Sequence, residues 1–117
     1  MKARQIELKT LPADKDAEEP ETNYRTMLLG QLNRIEQSGL TYSEIEKRLE
    51  LRKSLKASNG TWLLDEPAWQ QLKTLIEGSR WLIVSDNIAQ FIRDVLNAPE
   101  VTVDTTNTTN TTNTTAL

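Results

Sequence analysis

Residues 41–78, TYSEIEKRLELRKSLKASNGTWLLDEPAWQQLKTLIEG, decide the fold class. Thr41 and Glu44 form a capping box: the threonine oxygen accepts from the Glu44 N–H, and the Glu44 carboxylate reaches back to the Thr41 N–H. A helix should therefore run from Tyr42 to about Ala57. Ile45 and Leu49 share one of its faces, and Leu51 and Leu55 share an adjacent one. So broad an apolar stripe predicts packing on more than one neighbour. Ser58-Asn59-Gly60 is a turn signal. Thr61-Trp62-Leu63-Leu64 is β-prone but too short to stand alone. Asp65-Glu66-Pro67 then starts another helix, since aspartate suits the cap and a first-turn proline loses no intrahelical bond. Trp69, Leu72, Leu75 and Ile76 form its inner face, and Gly78-Ser79 weakens its end.

Working outward, Arg4–Leu8 alternates polar and apolar residues, a strand signal with Ile6 and Leu8 on one face. Pairing with Thr61–Leu64 would give both segments a partner. Residues 1–12 are thus assigned to a short N-terminal strand. Residues 13–21, ADKDAEEPE, read as an acidic, solvated linker. Thr22 can cap a helix carrying Tyr24, Met27, Leu28, Leu32 and Ile35 at helical spacing, with its stop near Ser38-Gly39. Trp81–Val84 reads either as the tail of the third helix or as a buried connection. Ser85-Asp86 caps a fourth helix with Ile88, Phe91, Ile92, Val95 and Leu96 inside, closed by Asn97-Ala98-Pro99. Residues 99–117 read as a disordered Thr/Asn-rich tail, because little there offsets ordering entropy. Its Asn-Thr-Thr triplets are formally glycan acceptors, and low-complexity filler is the commoner explanation.

The expected architecture is mostly α (α+β): a 22–98 domain of about four helices in a compact bundle, with a small two-stranded β element. Its expected core is Leu28, Leu32, Ile35, Ile45, Leu49, Trp69, Leu72, Ile76, Ile88, Phe91, Ile92 and Val95.

The 117 residues suggest one domain. The chain has no cysteine and no histidine, which removes thiol chemistry, the commonest general base and the usual zinc sets. The four glycines, at 30, 39, 60 and 78, form no phosphate-binding loop. Asp65 and Asp86 are explained as caps, and Glu44, Glu46 and Glu50 as members of a solvated face. The expectation is no catalytic residue, no cofactor, no metal and no enzyme. No apolar run approaches the roughly 20 residues of a membrane span, and the start lacks a signal-peptide pattern. A cytoplasmic protein without a membrane partner is expected.

Two sets of residues remain as binding features. Trp62 and Trp81 have less obvious addresses: finishing a small core is the commoner explanation, and an interaction patch is the other, since tryptophan is enriched at protein hot spots. Arg48, Arg52 and Lys56 stand at successive i, i+4 positions and could contact phosphates, although a solubilising row is the commoner explanation. Against nucleic acid stand a net charge of −3 and a spacing too long for a helix-turn-helix, since the next helix starts at Asp65.

One resemblance bears on this choice. Gly39, Leu40, Thr41, Glu44, Ile45 and Arg48, then Leu64, Trp69, Leu72 and Lys73, then Arg80 and Trp81, then Phe91, Ile92, Val95 and Leu96 resemble a pattern in small proteins of tailed phages and prophages. The match spans about half the chain and falls mostly on caps and core positions. It implies a phage origin and a virion- or tail-assembly accessory role, in the host cytoplasm or associated with the virion. The expected function is therefore a non-catalytic protein-interaction component with a phage or host protein as partner. The alternative is a small nucleic-acid-binding regulator that uses Arg48, Arg52 and Lys56.

Overall fold

The computed structural model describes residues 2–35 and 37–103. The elements in order are β1 (Lys2–Glu7), β2 (Thr10–Leu11), β3 (Thr22–Asn23), α1 (Tyr24–Leu32), α2 (Tyr42–Ala57), β4 (Thr61–Leu64), α3 (Glu66–Glu77), α4 (Asp86–Leu96) and β5 (Glu100–Thr102). β1, β4 and β5 form an antiparallel sheet in the order β4-β1-β5, and β2 pairs with β3. The molecule is therefore an α+β fold built on a three-stranded sheet, and not a compact helical bundle.

The expected pairing of the first strand with Thr61–Leu64 exists, with Ile6 opposite Trp62 and Arg4 opposite Leu64. The third strand comes from the segment expected to be tail. Ala3 lies opposite Val101, and a bond from the Gln5 N–H to the Pro99 carbonyl leads into the pair. The Asn-Thr-Thr triplets lie outside the described residues.

Ile6, Trp62 and Leu64 lie on one sheet face and bury among Tyr24 and Leu28 of α1, Leu72 and Ile76 of α3, and Phe91 and Val95 of α4. The packing satisfies its own polar groups. The Trp69 indole N–H donates to the Val95 carbonyl at 3.0 Å and joins α3 to α4. The Trp62 indole donates to Ser54 Oγ at 2.9 Å and joins β4 to α2. Tyr24 and Phe91 meet edge to face at 5.1 Å, a favoured aromatic geometry.

The caps match the local signals. Thr41 and Glu44 complete both bonds of the capping box, Asp65 accepts from the Ala68 N–H, and Ser85 accepts from the Ile88 N–H. α1 departs from expectation. Its cap is Asn23, and it ends at Leu32 rather than near Ser38; Arg48 donates to the Leu32 and Arg34 carbonyls at that end. Three expected core residues are outside: Ile35, past the end of α1, is 72% exposed, and Ile45 and Leu49 on α2 are 42% and 46% exposed. α2 buries Leu51 and Leu55 only. Its apolar stripe is wide because it has two faces, and only the face of Leu51 and Leu55 is buried.

The acidic stretch expected as a linker is a hairpin between β2 and β3. Asp14 and Glu19 exchange backbone bonds of 3.0 and 2.8 Å, and the Asp14 carboxylate accepts from the N–H groups of Asp16 and Ala17. Glu18 takes a positive φ of 57° at the turn.

Arg4 ties the sheet to both later helices. Its guanidinium lies 4.1 Å from the Trp69 ring centroid. It donates to the Ala98 carbonyl at 3.0 Å and to Glu66 at 3.1 Å. Arg4→Ala should cost about 2 kcal/mol of unfolding free energy, from the lost stacking and the unpaired carbonyl. Glu66→Gln should cost much less, because that ion pair is half exposed. Urea unfolding of the two variants checks the order.

Candidate functional site

A cleft of about 400 Å³ is lined by Ile6, Lys9, Tyr24, Gln90, Arg93 and Asp94 among others. At its centre the Tyr24 hydroxyl donates to Asp94 Oδ2 at 2.5 Å. Gln90 donates to Asp94 Oδ1 at 2.8 Å, and Lys9 Nζ lies 3.7 Å from Oδ2. Burial, and then the Asp94 carboxylate, push the Tyr24 phenol well above its ordinary range. The phenol therefore stays a donor near neutral pH and is no general base. Arg93 donates in turn to Gln90. These groups satisfy one another and clamp α4 to α1 and to the segment after β1. Among the described residues no three carboxylates converge as metal ligands.

The basic row does not form a free cationic patch. Arg48 donates to Leu32 O at 3.2 Å and to Arg34 O at 2.6 Å. Arg52 donates to Asn33 Oδ1 at 2.7 Å. Arg25 answers from α1, donating to Leu55 O and Ser58 O at 2.8 Å each. Cations at helix C-termini offset the carbonyl end of the helix dipole and fill carbonyls that lack intrahelical partners. Arg48 and Arg52 thus stitch α2 to the end of α1, and of the row Lys56 is the exposed member.

The two tryptophans also change standing. Trp62 is 1% exposed and cannot meet a partner. Trp81 is half-buried and packs edge-on against Phe91 at 6.5 Å. What the surface offers instead is aliphatic. The connection from α3 to α4, left open as helix tail or buried segment, is neither: Leu82 is 102% exposed and Val84 101%, with Ile83 at 49%. Both ends of this loop are tied down. Ser79 Oγ lies within hydrogen-bond distance of the Gln31 side-chain amide and of the Leu75 carbonyl. Ser85 Oγ donates to Glu19 Oε1 at 2.6 Å, and Glu19 also accepts from the N–H groups of Asp86 and Asn87 at 2.9 Å each. A second exposed set, Tyr42 (75%), Ile45 and Leu49, lies along α2. Sequence reasoning assigned Ile45 and Leu49 to the core, and read Leu82 and Val84 as helix tail or buried connection. The signal available was a four-residue apolar run between two helix boundaries, too short to be an element of its own.

The chain matches no protein-family model, no curated protein and no solved structure. No helix among the described residues is long and apolar enough to cross a membrane.

Two predictions follow from this geometry. Arg48→Ala should lower stability by about 1–2 kcal/mol, as expected for partly buried charged hydrogen bonds to carbonyls, whereas Lys56→Ala should leave it unchanged. Equal and negligible effects on stability would count against the stitching role. The second concerns acid. Hydrogen bonds from Ser85, Asn87 and Asp86 hold the Glu19 carboxyl below its ordinary value of 4.5. The Thr41 bonds do the same for Glu44, and the Gln70 and Arg4 bonds for Glu66. Carboxyls lowered by folding stabilise fully above the unfolded value and lose that contribution as pH falls through the folded one. Thermal midpoints should therefore be flat above about pH 5 and fall below 4.5. Glu19→Gln should melt lower at pH 6, with the gap to wild type closing on acidification.

Proposed function

We propose that this chain is a non-catalytic protein-interaction component, of the tailed-phage or prophage accessory kind that the sequence resemblance implies. It would act in the host cytoplasm or on the assembling virion. The observation that carries this reading is the Leu82-Ile83-Val84 loop, apolar, outward-facing and pinned at both ends. A pinned loop has already lost much of the conformational freedom that binding would otherwise remove, which favours association. Apolar side chains held outward in this way are a familiar mark of a protein-binding surface. The nucleic-acid reading is weaker, because Arg48 and Arg52 already serve carbonyl and amide oxygens of the same chain.

The test is affinity capture from phage-infected cells with the wild-type chain and a Leu82→Asp/Val84→Asp variant. Both positions are fully exposed, so the variant should fold with an unchanged circular-dichroism spectrum. The wild type should retain a virion or assembly protein, and the variant should retain it about tenfold less, the factor that 1.4 kcal/mol gives. Equal retention by both chains, or retention of nucleic acid alone, would sink the proposal.

A further inference from the structure

We propose that the outward face of α2 is a self-association seam, on which two copies of this chain pack their α2 helices antiparallel about a two-fold axis at Leu49. The seam is independent of the α3–α4 loop and of whatever binds there.

The helix is patterned for it. Tyr42, Ile45, Leu49 and Lys56 recur at coiled-coil spacing on the side away from buried Leu51 and Leu55. Tyr42 is 75% exposed, Ile45 42% and Leu49 46%, so each keeps apolar surface open to solvent, while Arg52, at the heptad position between Leu49 and Lys56, reaches sideways to Asn33. Its charge is segregated by ends. Glu46 flanks the apolar residues near the N-terminus, while Lys53 and Lys56 flank them near the C-terminus. Neither lysine makes an ion pair among the described residues. A parallel pair would set Glu46 against Glu46 and Lys53 against Lys53. An antiparallel pair centred on Leu49 sets Glu46 beside the partner copy's basic half, Ile45 against the stem of Lys53, and the Tyr42 ring against Lys56. Opposite charges then meet at both ends, and the cation lies near an aromatic face. The arrangement is isologous, so it closes at two copies and does not propagate.

The size of the seam sets its strength. α2 has 16 residues, about 24 Å of helix. Such a helix pair covers less than the roughly 800 Å² per partner of a standard interface. Self-association should therefore be weak and read at high micromolar concentration. It should weaken further in salt, because the flanking charges are exposed.

Sedimentation equilibrium of the full chain and of Glu46→Lys and Lys53→Glu variants tests the seam. The wild type should approach a dimer as concentration rises. Each variant alone should self-associate at least about fivefold more weakly, a change of the size expected from like charges in contact. An equimolar mixture of the two variants should recover the dimer, because each then supplies the charge the other lacks. The chain has no cysteine of its own, so a second experiment uses introduced ones. Tyr42→Cys mixed with Lys56→Cys should form a disulfide-linked heterodimer faster than either variant forms a homodimer. A wild-type chain that stays monomeric throughout, variants that dimerise as well as wild type, or faster linkage of Tyr42→Cys to itself would each overturn the proposal.

Discussion

The fold depends on satisfying the central strand, Lys2–Glu7. A lone strand has backbone donors and acceptors on both edges, and burying them unpaired is costly. Here one edge is met by Thr61–Leu64 and the other by Glu100–Thr102. Both partners are remote in sequence, so the chain must close long loops before the strand gains anything. The helices between them make that closure worthwhile. α3 follows β4 directly, and Trp69 and Leu72 bury beneath the sheet. α4 leads into β5 through Ala98, which is fully buried. Arg4 joins the two halves of this arrangement, touching Trp69 on one side and the Ala98 carbonyl on the other. Sheet and helices are therefore one cooperative unit.

That dependence explains which parts of the structure are legible in the sequence. Features determined within a few residues are readable. The Thr41–Glu44 box, the Asp65 cap before Pro67 and the Ser85 cap all act within one helical turn. β1 with β4 is readable as well, since two short β-prone segments each lack a partner. β5 is not. Glu100–Thr102 has one apolar residue, Val101, and becomes a strand only because the edge of β1 is open beside it. The hairpin at 12–21 is hidden for a similar reason. Its composition is that of a solvated linker, but Glu19 finds the N-terminus of α4, where backbone N–H groups favour a carboxylate.

The candidate binding features misled for a complementary reason. An arginine row on a helix has the same sequence whether it meets phosphate or the carbonyls of a neighbouring helix. The premature end of α1 at Leu32 decides between them, because it leaves carbonyls that Arg48 can reach. Trp62 looked unassigned only because its place in the core is made by Ile6, more than fifty positions earlier. Surface apolar residues are the hardest to foresee. Ile45 and Leu49 have the spacing of core residues, and exposure follows from the absence of a neighbour on that side of α2.

The same reasoning separates the two exposed apolar sets. On α2 the backbone is satisfied by the helix itself, so the path of the chain there does not depend on the exposed parts of Tyr42, Ile45 and Leu49. The Leu82–Val84 loop differs. It spans the gap between Ser79, held by Gln31, and Ser85, held by Glu19, while Trp81 is drawn inward against Phe91. Those anchors fix where the loop runs and leave Leu82 and Val84 facing solvent. Nothing in the anchors requires apolar side chains at those two positions. The fold therefore accounts for the path of the loop but not for its chemistry, which is why the proposed partner surface is placed there.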